Sequence, residues 1–178
     1  MPTKAELQAA RGREIPHVLE PGLRVVFVGI NPGLWSGATG HHFAHPGNRF
    51  WKVLYLSGFT ERILSPAEDV NLPQYGIGVT NLVARTTAKA DELTREELRA
   101  GAQIIEGKLS AAQPRAVAML GIEAYQKAFR HPNAAVGPQP DGIADIPTWL
   151  LPNTSGLNTH YPSPALVTLF EDFRRSLT

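Results

Sequence analysis

Val25-Val26-Phe27-Val28-Gly29-Ile30-Asn31-Pro32-Gly33 is the stretch that decides how this chain is read. Four consecutive apolar residues with no polar alternation fit a strand covered on both faces, the pattern of a central strand in a parallel sheet. Gly29 to Gly33 cannot continue it, because Gly, Asn-Pro and Pro-Gly punctuate the backbone. In open α/β sheets ligands gather beyond the carboxyl ends of the strands, where glycine lets a backbone come close. Gly29, Ile30 and Asn31 therefore stand where a ligand would bind. Taken alone, Asn31-Pro32-Gly33 is equally well an ordinary turn.

Two further segments shift that balance. Gly40-His-His-Phe-Ala-His-Pro-Gly-Asn-Arg-Phe-Trp51 crowds three histidines, Phe43 and Trp51 into a loop soon after the first. Pro152-Asn-Thr-Ser-Gly-Leu-Asn158 follows the apolar run Thr148-Trp149-Leu150-Leu151 and sets Leu157 among small polar residues, as a wedge loop would.

Length and composition set the bounds. A chain of 178 residues is enough for one domain with a substantial core, and no composition break argues for a second. With no cysteine, disulfides, thiol nucleophiles and cysteine-held zinc or iron–sulfur clusters are excluded. The six histidines show no metal-ligand spacing, so neither a metal nor another cofactor is expected. A formal charge of +1 gives little long-range attraction to a polyanion, for which a local patch matters more. No apolar leader and no stretch near the ~20 apolar residues of a membrane span are visible, so a soluble, cytoplasmic protein with no membrane partner is expected.

Along the chain, residues 3–14 read as a short polar helix, and residues 1–20 as an N-terminal appendage to a single domain spanning 21–178. Residues 48–57 read as a helix stopped by Gly58, and Ser65-x-x-Glu68 as a capping box opening another. Residues 77–83 read as the second strand. Thr94-x-x-Glu97 caps a helix in which Leu98, Ala102, Ile105 and Leu109 share one face. Strands over 116–120 and 148–151 alternate with helices over 123–129 and 164–176. Residues 132–147 read as a surface loop or irregular hairpin. The alternation predicts an α/β fold, a three-layer αβα sandwich with a mainly parallel central sheet.

Gly29-Ile-Asn-Pro-Gly33, Phe43-Ala-His-Pro-Gly-Asn-Arg-Phe-Trp-Lys52 and Asn153-Thr-Ser-Gly-Leu157 together resemble the mismatch-specific uracil/thymine DNA glycosylases, the second family of the uracil-DNA glycosylase superfamily. Thr154 stands where the bacterial motif usually has proline. Gly78-Val-Thr-Asn-Leu-Val83 and Arg85-Thr-Thr87 extend the similarity over nearly the whole chain beyond the first twenty residues. The resemblance implies the uracil-DNA glycosylase fold. It also implies a hydrolase that releases uracil, and related damaged or mispaired pyrimidines, opposite guanine in double-stranded DNA, initiating base excision repair. Other branches of the superfamily carry a cysteine-bound iron–sulfur cluster, which this chain cannot.

The residues take roles accordingly. A base within a duplex must be flipped out before a pocket can reach it. Leu157 would fill the vacated stack, with Asn153, Ser155, Gly156 and Asn158 forming the DNA-contacting loop; the alternative is that Leu157 anchors the loop in the core. Phe43 would stack on the flipped base, and the N–H groups near Ile30 and Phe43 would meet its carbonyl oxygens. Asn31 would hold the water near C1′; an amide orients water but is no strong base. Ser36 is a candidate for the C5 edge of the base, His42 for substrate range, and Asn81 for the sugar-phosphate or the opposing strand. Asp91 is a second catalytic candidate, against the plainer reading of a charge at a helix start. Arg24, Arg49, Lys52, Arg85 and Lys89 are grouped as phosphate contacts. No lysine is placed for a lyase step, so a monofunctional enzyme is expected, and a monomer is expected because one compact domain can flip one base alone. The competing readings are a non-catalytic mismatch- or lesion-binding module and a free-nucleoside hydrolase.

Overall fold

The computed structural model describes residues 1–177. Its centre is a five-stranded sheet ordered β2-β1-β3-β5-β4, built from β1 (Val25–Gly29), β2 (Ile77–Asn81), β3 (Val117–Leu120), β4 (Gly137–Pro138) and β5 (Thr148–Leu151). The first four in that order run parallel, and the two-residue β4 pairs antiparallel with β5 at the edge. Every residue of β1 is buried, as expected of a strand with helices on both sides.

Successive β1 side chains enter opposite layers. Phe27 meets Phe50, Phe59, Phe170 and Phe173, stacking on Phe170 at 5.8 Å and meeting Phe50 edge-on at 5.5 Å. That layer holds α3 (Phe50–Leu56) and α6 (Ser163–Ser176). Val26 and Val28 face the other way, onto Leu98, Ala102, Ile105 and Leu109 of α4 (Arg95–Ala112) and Ala124 and Tyr125 of α5 (Ile122–Ala128). Each fully buried large apolar side chain contributes roughly 1.5–3 kcal/mol. This is the αβα sandwich with a mainly parallel sheet that the alternation predicts.

Some elements differ from the sequence reading. A six-residue helix α2 (Leu34–Thr39) follows the first motif, closed by Gly40 at φ 79°; at under two turns it shows no readable periodicity. The segment expected as a helix after Ser65 is a 3₁₀ run, Pro66–Tyr75, interrupted by Pro73. The second strand ends at Asn81, although Leu82 and Val83 still donate to the Gly29 and Ile30 carbonyls. Residues 132–147 supply β4 and bury Ile143 and Ile146.

The N-terminal residues are tied into the fold. The first helix, α1 (Lys4–Ala9), is capped by Thr3 and Glu6, and Ala10 is fully buried. Gly12 donates to the Thr86 carbonyl, Thr86 donates back to that of Arg13, and Val18 forms an antiparallel bridge with Val79. The Gly12 and Arg13 contacts brace the loop after β2, and the Val18 bridge holds β2 itself.

Candidate active site

The chain leaves β1 for β2 on one side, and β3 lies on the other, so the carboxyl ends of β1 and β3 border the crevice where α/β sheets bind ligands. A β-carbon on Gly121, at the end of β3, would come within 2.9 Å of the Ile30 side chain, so the two strand exits pack directly together.

Asn31 projects from this point with its amide nitrogen engaged. Nδ2 donates to Thr87 Oγ1 at 2.8 Å and to the Arg85 carbonyl at 2.9 Å, with a longer contact to the Pro32 carbonyl at 3.3 Å. A backbone carbonyl only accepts, so this environment selects the amide orientation with nitrogen inward. Oδ1 has no hydrogen-bond partner among the described residues and remains an acceptor. Thr87 also donates its N–H to the Pro32 carbonyl and its hydroxyl to the Lys89 carbonyl, stapling the two loops together.

Gly29, Phe43 and Asn81 converge beside it. A β-carbon on Gly29 would sit 2.7 Å from Asn81 Oδ1 and 3.4 Å from the edge of the Phe43 ring, so only glycine lets the three approach. Asn81 is 7% exposed, yet its amide has no hydrogen-bond partner among the described residues. Phe43 is half-buried with φ 52°, stacked on Phe50 at 4.1 Å. A left-handed aromatic residue carries strain on the order of 1–3 kcal/mol and persists only where its surroundings hold it. Ser36 lies beneath, buried, its Oγ accepting from the Ala44 N–H.

His42 is buried at 2% exposure, and its Nε2 donates to the Pro16 carbonyl at 2.8 Å. Burial holds its imidazole below the usual histidine range, with the Pro16 bond and Asp69 opposing. Its ring is thus engaged with the N-terminal segment.

The wedge loop is the most heavily braced part of the site. Leu157 is 83% exposed, which rules out its anchoring the loop in the core. Arg49 donates through Nη1 to the Tyr161 carbonyl and through Nη2 to those of Ser155 and Asn158. Asn153 Oδ1 accepts from Ser155 N–H, Ser155 Oγ from Leu157 N–H, and Asn158 Nδ2 donates to the Asn153 carbonyl. Thr154, in the proline position of the related motif, donates its hydroxyl to Asn48 Oδ1 at 2.8 Å. One side of this loop lines a cleft of about 520 Å³, with Pro152, Asn153 and Asn158 facing Ile122, Glu123 and Tyr161.

Asp91 is exposed in a 3₁₀ turn (Ala90–Glu92), and no hydrogen bond joins it to Asn31 among the described residues. Two of the five basic candidates are occupied internally: Arg49 by the wedge loop, and Arg85 by Glu97, at 2.6 Å from its Nε. That pairing, with the Thr94 N–H, holds the Glu97 carboxyl down to about 2. The sequence reading misses the part of Thr87, although it lies inside a quoted motif, and that of Asp69, which no motif marks. Among the described residues no group of three or more His, Asp or Glu is placed to hold a metal, and no helix is long and apolar enough to cross a membrane.

Comparison with known proteins bears on the fold and the family. The backbone is similar to a solution NMR structure from Methanosarcina acetivorans, provisionally designated a uracil DNA glycosylase. The TM-score is 0.60 at 18% identity, over 92% of this chain and 98% of that one, a likeness of fold. The family model of the Uracil DNA glycosylase superfamily matches residues 16–175, which include all three motif loops and the braced Asn31. This chain belongs to the uracil DNA glycosylase superfamily.

Proposed function

We propose that this protein is a monofunctional, mismatch-specific DNA glycosylase that hydrolyses the N-glycosidic bond of uracil, and of related damaged pyrimidines, opposite guanine in duplex DNA. The observation that carries the proposal is Leu157: a large apolar side chain held in solvent by a loop whose carbonyls converge on one arginine. Folding gains nothing from that arrangement, whereas a base-flipping enzyme needs an apolar wedge where the extruded base was stacked.

The flipped base would lie against Phe43, with Asn81 meeting its polar edge and Ile30 and Phe43 N–H groups its carbonyl oxygens. Asn31 Oδ1 would accept from a water and aim its oxygen at C1′. As the water oxygen bonds to C1′, the C1′–N1 bond breaks and its electron pair leaves with the base, whose anion the surrounding donors stabilise. The water's proton passes to solvent or to the departing base, leaving an abasic site. An amide cannot take that proton at neutral pH, so turnover is slow and uracil is cut faster than thymine. The protein acts as a monomer without a cofactor. Ser155, Gly156, Leu157 and Asn158 would face the orphaned guanine.

Single-turnover base release from duplexes carrying G·U, A·U and G·C tests this reading. Native protein should release uracil from G·U. Asn31→Ala should lose about 10²-fold, the scale of a misplaced reactant, and Leu157→Ala should impair duplex substrate while sparing single-stranded substrate. Binding of G·U without release would instead identify a mismatch-binding module.

A further inference from the structure

We propose that Asp69 is a positioning residue that sets the base-stacking face of Phe43 by clamping the two histidines before it. This rests on the reading of Phe43 as the surface that receives the flipped base.

Asp69 lies on the 3₁₀ run Pro66–Tyr75, outside every motif loop, and is 2% exposed. A carboxyl group so enclosed is costly unless hydrogen-bonded. Both its oxygens are used on the same short segment: Oδ2 accepts the His42 N–H at 2.9 Å, and Oδ1 lies 3.1 Å from His41 Nδ1. The next residue is Phe43, at φ 52°.

The remaining polar groups of His42 are tied as well. Trp51 Nε1 donates to its carbonyl at 3.3 Å, and its ring Nε2 donates to the Pro16 carbonyl. The His42 N–H, carbonyl and ring are therefore fixed by three separate parts of the chain. Among the described residues, nothing beyond Ser36, which receives the Ala44 N–H, holds Phe43 from the other side by a side-chain bond. The left-handed turn at Phe43 is thus imposed chiefly from His42. It directs the ring onto Phe50 and brings its edge beside Gly29 and Asn81. Released from Asp69, Phe43 would relax toward negative φ and swing its ring off the pocket.

The test is a double-mutant cycle on single-turnover uracil release from a G·U duplex. Asp69→Ala should lower release about tenfold or more, the scale of a lost base-stacking contact, and cost nothing further in a Phe43→Ala background. Asp69→Asn should restore most activity, since its amide can accept from His42 N–H and donate to a neutral His41 Nδ1. Trp51→Phe, which keeps an aromatic ring in the core but drops the bond to the His42 carbonyl, gives an independent cycle that decides if Asp69→Ala does not fold. Losses equal in both Phe43 backgrounds would mean a general structural role and overturn the inference, as would an active native enzyme indifferent to Asp69→Ala. Native protein that releases no uracil would instead overturn the reading beneath it.

Discussion

The carbonyl of Gly47 faces Gly156 so closely that a β-carbon at Gly156 would sit 2.6 Å from its oxygen. Two segments over a hundred residues apart thus touch through bare backbone, one following the Phe43 pocket and the other carrying Leu157. Pocket and wedge are held in a fixed relation by this contact. Gly156→Ala must push the loops apart because the opposing atom is backbone and cannot rotate away. Uracil release from a G·U duplex should fall about tenfold or more while release from single-stranded DNA, which needs no wedge, changes little. Parallel assays on the two substrates check this.

Arg49 acts on the same relation. Its fork reaches the carbonyls of Ser155, Asn158 and Tyr161, a geometry the single ammonium of lysine cannot reproduce. Arg49→Lys should leave the fold intact but loosen the loop. The expected signs are faster amide hydrogen exchange across 155–158 and a raised half-saturation for duplex substrate.

Thr87 orients Asn31. Thr87→Val keeps the shape but removes the oxygen that accepts from Asn31 Nδ2 at 2.8 Å, so the amide loses one of its two short bonds. The saturating rate of base release should fall by about an order of magnitude with half-saturation nearly unchanged, because the water is misplaced while DNA binding is untouched. Thr87→Ser should behave as native. A Thr87→Val enzyme with unaltered saturating rate would dismiss this role.

The Arg85–Glu97 pair makes a pH prediction. Glu97 has its carboxyl lowered from 4.5 to about 2, first by Arg85 and then by the Thr94 N–H. A carboxyl lowered on folding adds stability that is complete above its unfolded value and is lost as pH falls toward its folded one. The contribution should therefore be present above about pH 4.5 and fade between there and about pH 2. Glu97→Gln should flatten the stability curve across that window, measured by urea denaturation at stepped pH. Since the Arg85 carbonyl holds Asn31, the same variant should also slow base release at neutral pH.

How much was legible in the residues can be argued case by case. Val25 to Val28 announced a buried parallel strand because two-sided burial leaves no room for polar alternation. Thr94-x-x-Glu97 announced the start of α4, as capping is satisfied within one turn. Asn31 and Leu157 were legible as candidates through their motifs, but nothing local reveals that the first is pinned by Thr87 and Arg85 or that the second stands in solvent. Helix α2 was hidden by its shortness, and β4 by a pairing partner that comes later in the chain.

By itself, then, the sequence determined the αβα architecture and the three loops that meet at the sheet's carboxyl edge, since these follow from periodicity, capping and turn chemistry among near neighbours. Only the tertiary structure decided which side chains are free to act. It engaged Arg49 and Arg85 internally, left Asn31 Oδ1 and the Asn81 amide without a hydrogen-bond partner among the described residues, and tied Asp69 to the two histidines before Phe43. Whether a polar group is spent or available depends on partners dozens of residues away, and folding alone brings those partners within hydrogen-bonding distance.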